Sequence, residues 1–115
     1  MSATGFDGKV FGNGLPLIAA WYVARVIRAM RRENSNGSGW MAFAVFDVEG
    51  HEVPKVFNVG HANPEVVSIA TREMNALAYA SGRVFEAPDD MVGAECRVEI
   101  STKSGTPEIV GFKTK

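Results

Sequence analysis

The chain has 115 residues, of which 46% are hydrophobic and 22% charged, and its formal net charge is −1 at pH 7. These values fit one soluble globular domain and exclude a general attraction to nucleic acid or anionic lipid, so any site for a polyanion must be a local patch. The single cysteine, Cys96, cannot form an internal disulfide, and we find neither a signal peptide nor an apolar run long enough to span a bilayer, so we expect a cytoplasmic protein with no membrane partner.

Residues 1–14, MSATGFDGKVFGNG, contain four glycines and few apolar side chains that could enter a core. This composition predicts a flexible N-terminal arm, followed by a single domain over residues 15–115. Phe6, Val10 and Phe11 are the side chains of the arm that could dock onto that domain.

The segment Leu15–Arg32 is compatible with two structures. As a helix over residues 15–32, it would place its apolar residues on one face and its arginines on another, at three- and four-residue spacing. As a strand, it would divide its arginines between two faces, because successive side chains alternate. The turn sequence ENSNGSG and the strand-like run that follow favour a long hairpin, and therefore a strand over Tyr22–Arg32.

Two further strands are predicted after this turn. The run WMAFAVFDV, Trp40–Val48, is apolar at nearly every position, which is typical of a strand covered on both faces. The turn VEGHEV separates it from a short strand over Val53–Val59. Pro54 must lie at an edge or near the start of that strand, because proline has no N–H to donate.

Asn63, Pro64 and Gly82 delimit the most clearly predicted element, a helix. Asn63 can cap its N-terminus, proline is favoured at the first helical position, and glycine is favoured just beyond the last turn. An apolar stripe at helical spacing is expected to face the core. The stripe consists of Val66, Val67, Ala70, Met74, Leu77, Ala78 and Ser81.

The last part of the chain predicts two strands joined by the hairpin turn KSGTP. The segment Glu95–Thr102 alternates polar with apolar residues and has Cys96 at an inward position, and Glu108–Lys113 forms the final strand. The element order β-β-β-α-β-β is that of the OB-fold, a mainly β, five-stranded Greek-key barrel with one helix between strands three and four. A helix over residues 15–32 would instead give an α+β fold with four strands.

The middle of the chain, KVFNVGHANPEVVSIATREMNALAYASG, resembles the central part of a family of small phage proteins found among replication and recombination genes. Over about residues 22–113 the chain follows that family's order of short motifs. A strand ends in an aromatic–Asn pair, NP opens a helix, and a small residue and glycine close it; an acidic loop, a glycine turn and a terminal strand follow. The matching residues are Phe57 and Asn58, Asn63 and Pro64, Ser81 and Gly82, Asp89 and Asp90, MVGAE (Met91–Glu95) and IVGFK (Ile109–Lys113).

The resemblance implies an OB-like domain that acts near single-stranded DNA during phage replication, in the cytoplasm of the bacterial host. It implies no catalytic residues. Ala94 stands where the family has a lysine, which removes one cation from that turn.

No pattern in the sequence predicts catalytic activity, a cofactor site or a metal site. The phosphate-binding loop, the nucleophile elbow, the zinc-protease motif and paired cysteines are all missing from the sequence. His51 and His61 lie in two turns without further assignable ligands and are expected at the surface. Cys96 is expected to be a small core residue.

Binding of single-stranded nucleic acid requires cations for the phosphates and aromatic rings for the bases. In an OB barrel the ligand crosses strands two and three between two loops, one joining strands one and two and the other joining strands four and five. The candidate binding residues on this basis are Arg31, Arg32, Trp40, Lys55, Phe57, Arg28, Arg25 and Lys103. Arg31 and Arg32 rank first because they adjoin the glycine turn, whereas one face of the strand that carries Arg25 and Arg28 must enclose the core. The alternative is that the phenylalanines are core residues and the arginines form a solvated face.

Two functions from different classes follow. The first is a non-enzymatic single-stranded DNA-binding protein of phage replication or recombination. The second is a protein-interaction module, for example a phage inhibitor of a host enzyme or defence complex, which the long apolar second strand allows. Self-association, or another replication or host protein as partner, is compatible with either. Only nucleic-acid binding should weaken steeply with salt, because bound phosphates release counterions.

Overall fold

The computed structural model describes residues 16–35 and 37–115, and the predicted arm over residues 1–14 lies outside them. The helical alternative for residues 15–32 is wrong, because residues 20–33 form a strand that pairs with the next strand. A helix would have left both partner strands without these backbone hydrogen bonds. The elements in chain order are β1 (Ala20–Glu33), β2 (Trp40–Val48), β3 (His51–Gly60), α1 (Pro64–Ser81), a 3-10 turn (Pro88–Met91), β4 (Glu95–Ser101) and β5 (Glu108–Lys113).

The five strands form one curled sheet in the order β3-β2-β1-β4-β5, and each neighbouring pair is antiparallel. The curl brings the two ends of this order together, so that the rings of Phe57 on β3 and Phe112 on β5 stack with centroids 6.2 Å apart. The result is a half-barrel. Its mainly β class, its five strands and the helix between the third and fourth of them agree with the prediction.

The third strand begins two residues earlier than predicted. Glu49 and Gly50 both have positive φ and form a two-residue turn, which leaves Val48 paired directly with His51. Two-residue turns of this kind match the twist of an antiparallel hairpin, so the pairing continues up to the turn. Pro54 is exposed on β3, a strand at the end of the sheet order, where a missing N–H does not interrupt the ladder.

A bulge in β1 determines which way its arginines point. Val26 pairs with Phe46 but Arg28 pairs with Val45, so Ile27 is an extra residue in the ladder. The Val26 carbonyl instead accepts a hydrogen bond, 2.8 Å long, from the N–H of Gly93, which follows the 3-10 turn. The extra residue reverses the alternation along the strand.

The concave side of the sheet and helix α1 enclose the core. Fully buried side chains from β1, β2, β3, α1 and β4 meet there, including Val26, Phe46, Phe57, Leu77 and Val98. The inward prediction for β4 is confirmed, since its alternate residues from Cys96 to Ile100 are buried. Burial raises the pKa of the Cys96 thiol to about 11, as expected for a core thiol with no charged partner.

Helix α1 begins and ends where the sequence predicts. The Asn63 side chain accepts a hydrogen bond from the Glu65 N–H at 2.9 Å, and Gly82 is the C-cap. Ala70, Leu77 and Ala80 are its buried residues, while Val66 and Val67 of the predicted stripe are only half-buried. Within the described residues, this helix does not have the length and apolar content needed to cross a membrane.

Candidate nucleic-acid interface

The end of the β1–β2 hairpin carries two arginines that each cover an aromatic ring. The Arg31 guanidinium lies 4.2 Å from the centroid of the Trp40 ring, and that of Arg32 lies 4.0 Å from the centroid of Phe43. Both rings are half-buried, so each presents part of its surface to solvent. We call these four residues the hairpin-end cluster. It combines the two groups that bind single strands, cations for phosphates and rings for bases.

The two halves of this cluster lie on opposite faces of the hairpin. Because of the bulge at Ile27, Arg31 pairs with Ala42 on the concave side, whereas Arg32 pairs with Met41 on the outer side. The prediction that the arginines divide between two faces therefore holds for Arg31 and Arg32. It fails for Arg25 and Arg28, which both lie on the outer face. Arg25 alternates with the buried Ala24 and Val26, and Arg28 faces outward because the bulge reverses the alternation after Val26.

Trp40 is fixed by a close approach to β3. It pairs in register with Gly60, and a Cβ atom at Gly60 would lie 2.2 Å from the indole Nε1. Trp40 also lines an apolar pocket of about 160 Å³ together with Val59, Met74 and Phe85. The Trp40 ring thus packs against apolar side chains on one side, and Arg31 covers it on the solvent side. Arg31 also forms a 2.8 Å ion pair with Glu33.

Phe43 lies at the centre of the outer face of β1, β2 and β3. Its register partners are Met30 on β1 and Val56 on β3, which are 38% and 37% exposed. Among the described residues Arg32 has no carboxylate partner, so its charge is available to a ligand. This outer face is therefore an apolar and aromatic surface with a cation above it.

Arg28 and Arg25 continue along the outer face of β1. Arg28 donates to Glu52 at 2.7 Å, and this hydrogen-bonded ion pair lowers the pKa of Glu52 below its usual value. Arg25 lies beside Glu95, whose pKa is lowered chiefly by its ion pair with Lys115 and to a smaller extent by Arg25. Both arginines are exposed, but Arg28 already has a carboxylate partner.

Three of the sequence candidates do not belong to the exposed hairpin-end cluster. Phe57 is fully buried and Lys55 forms a 2.8 Å ion pair with Glu73 of helix α1, so both face the core side of β3. The two were expected beside Trp40, and they do lie on the same concave side of the sheet, but there Phe57 is buried in the core and Lys55 reaches helix α1. Lys103 is exposed after β4, whose end pairs with the start of β1, and it therefore lies at the opposite end of β1 from Arg32.

Trp21 is an exposed aromatic residue that the sequence pattern did not single out. Trp21 is 39% exposed on the outer face of β1, and Lys113 lies over it with its Nζ 4.3 Å from the ring centroid. Strand alternation from Arg25 back to Trp21 would have placed the two on the same face, once β1 was recognised as a strand.

The chain matches no protein-family model, and no curated protein matches it in sequence.

Proposed function

We propose that this protein binds single-stranded DNA through an OB-like Greek-key barrel and catalyses no reaction. The strand order, the antiparallel neighbours and the helix between strands three and four support this fold. The gap between β3 and β5 is compatible with it, because OB barrels are often only partly closed. Strands two and three, which carry ligands in such barrels, are here β2 and β3.

The observation that carries the proposal is the Arg32–Phe43 stack on the outer face. A base that stacks beside Phe43 would meet Met30 and Val56 at its edges, and the adjoining phosphate would lie within reach of Arg32. Such stacking does not depend on base identity, because every base has a π face. We therefore infer a sequence-tolerant site.

The biological setting we propose is phage replication or recombination in a bacterial host. Its support is the motif order shared with small phage proteins, from the aromatic–Asn pair at Phe57 to the terminal IVGFK strand. A single-strand binder suits both processes, since each exposes unpaired DNA.

Fluorescence anisotropy with a labelled oligothymidylate tests the proposal. We expect binding at micromolar protein in low salt, and a log–log slope of affinity against salt of about −2, which three phosphate contacts would give. No binding at micromolar protein in low salt would contradict the proposal. A duplex of the same length serves as the competitor, and it should bind more weakly because its bases cannot stack on Phe43.

The variant Arg32→Ala tests the site itself. It should weaken binding about fivefold and make the salt slope less negative by about 0.7, the effect of one lost phosphate contact. Arg72→Ala, which removes an exposed cation from helix α1, is the matched control and should bind like the unaltered protein. Equal affinities for the two variants would exclude the hairpin-end cluster as the contact surface.

The second candidate function is a protein-interaction module. It is favoured by the same outer face, where Met30, Val56 and Phe43 form a partly exposed apolar surface. The anisotropy experiment separates the two functions, since a module for a protein partner has no reason to bind the oligonucleotide or to respond to Arg32→Ala in that assay.

A further inference from the structure

A second aromatic and cationic surface lies on the outer face of the sheet, at the other end of β1. It consists of Trp21 on β1, Arg97 on β4 and Lys113 on β5, and we call it the β4–β5 patch. Arg97 pairs in register with Val23 on one side and with Lys113 on the other, so the two cations are direct neighbours on one face. Lys113 in turn lies 4.3 Å above the Trp21 ring.

The position of the Trp21 ring is set by a glycine. Trp21 and Gly111 both pair with Glu99, from opposite sides, and a Cβ atom at Gly111 would lie 3.3 Å from the indole Cη2. The indole thus extends over the backbone of β5, where a larger residue would displace it. This keeps a large ring at the surface, 39% exposed, instead of in the core.

The charge of this surface is suited to a polyanion. Among the described residues neither Arg97 nor Lys113 has a carboxylate partner, while the nearby Glu95 is paired with Lys115 at 3.1 Å. Glu99 is the remaining carboxylate of the patch. Two like-charged side chains that face each other across β4 and β5 repel, and a bound phosphate would relieve that repulsion.

The outer face of β1 connects this patch with the hairpin-end cluster. Arg28 and Arg25 lie on that face between the two rings, Phe43 and Trp21, and Arg32 lies just beyond Phe43, at the hairpin end. From residue 21 to residue 32 a strand extends roughly 35 Å. Single strands bound to one OB-type domain cover about 4–16 nucleotides, so this length is appropriate for one bound strand.

We propose that the β4–β5 patch is a second contact for single-stranded DNA, so that the strand follows β1 from Arg32 to Trp21. Trp21 stacks on a base, and Arg97 and Lys113 bind the adjoining phosphates. This inference rests on the proposed function, but it concerns a surface of β1, β4 and β5 that lies outside the β2–β3 face.

The test compares two lengths of oligothymidylate, about 5 and about 15 nucleotides. The double variant Trp21→Ala/Lys113→Ala should bind the long oligonucleotide about tenfold more weakly, because one stacked base and one phosphate contact are lost. Its affinity for the short one should change less than twofold, since that length is filled by the hairpin-end cluster. The matched control is Arg72→Ala/Tyr79→Ala, which removes one exposed cation and one exposed ring from helix α1 and should leave both affinities unchanged.

Two further measurements keep the test independent of folding defects. Arg97→Ala alters only an exposed side chain and should make the salt slope for the long oligonucleotide less negative by about 0.7. The chain has two tryptophans, so Trp40→Phe leaves Trp21 as the single tryptophan. A saturating concentration of the long oligonucleotide should quench the fluorescence of Trp21 in this variant.

The outcomes distinguish the two proposals. If the unaltered protein binds neither oligonucleotide, the proposed function fails and the second contact fails with it. If it binds both, but Trp21→Ala/Lys113→Ala matches the helix control and Trp21 emission stays constant, only the second contact is overturned.

Discussion

At the scale of single residues, each tryptophan of the chain lies against a glycine of another strand. Trp40 lies against Gly60 of β3, and Trp21 reaches over Gly111 of β5. The Trp40 indole occupies the volume where a Cβ atom of residue 60 would stand, and a Cβ atom at residue 111 would make a tight contact of 3.3 Å with the Trp21 indole. Each ring therefore stays at the surface in a fixed position, and an arginine or lysine covers it. A preformed ring loses little conformational entropy on stacking with a base.

Gly60→Ala should destabilise the protein by about 2 kcal/mol, because its Cβ atom would overlap the Trp40 ring and force it out of place. Urea unfolding followed by circular dichroism measures the change. In a Trp40→Leu background the same substitution should cost less than half as much, since the overlapping ring atoms are gone. An equal cost in both backgrounds would show that Trp40 is not the source of the strain.

At the scale of elements, the bulge at Ile27 decides which surface receives the arginines. An uninterrupted strand with Val26 inward would also direct Arg28 and Arg32 inward, where their charges would be buried or would open the core. The extra residue moves both to the outer face, in line with Arg25. Its place is set by the chain after the 3-10 turn, because Gly93 and Ala94 supply the backbone partners of Val26. Because of this one extra residue, Arg25, Arg28 and Arg32 all lie on the outer face of β1.

Helix α1 depends on its cap at Asn63. Asn63→Ala should cost about 1 kcal/mol of stability, because the Glu65 N–H loses its acceptor at the helix start. Ser68→Ala, at an exposed position inside the same helix, is the control and should be neutral or slightly stabilising, since alanine has the higher helix propensity. Urea midpoints that rank the two variants in the reverse order would contradict the assigned cap.

At the scale of the whole molecule, helix α1 closes the concave side of the sheet, and an ion pair joins the two. Lys55 of β3 meets Glu73 of the helix, with only 16% and 32% of the two side chains exposed. The pair lies on the far side of the sheet from Phe43. The molecule thus separates a side that supports the fold, with α1 and the core, from an outer side whose aromatic and basic groups are available to a ligand.

Lys55→Met should lower the stability by about 1 kcal/mol and leave DNA binding unchanged, because it removes the charge beside Glu73 but keeps the apolar stem. Arg28→Met is the control for stability, since it breaks an ion pair whose side chains are both more than half exposed and should cost less. Urea unfolding and anisotropy measure the two effects. A clear loss of DNA affinity in Lys55→Met would show that Lys55 contributes to DNA binding.

Most of the local structure was predictable because it depends on neighbouring residues. The caps at Asn63 and Gly82, the glycine turn after β1 and the alternation of β4 each follow from contacts within a few positions of the chain. The start of β3 was predicted too late because VEGHEV was interpreted as a longer turn. The expectation that Arg25 and Arg28 lie on opposite faces was wrong, because a bulge leaves no local signal at Ile27.

The sequence by itself determined the element order, the helix with both of its caps, and the presence of an arginine-rich strand followed by an aromatic one. These properties rest on local preferences and on the period of the apolar pattern. Only the tertiary structure decided which cation meets which ring. Arg32 reaches Phe43 because a backbone partner distant in sequence fixes the bulge, Lys55 turns to Glu73 across the core, and Lys113 covers Trp21 from the other end of the chain. Such contacts depend on register between strands, which is set by the fold as a whole.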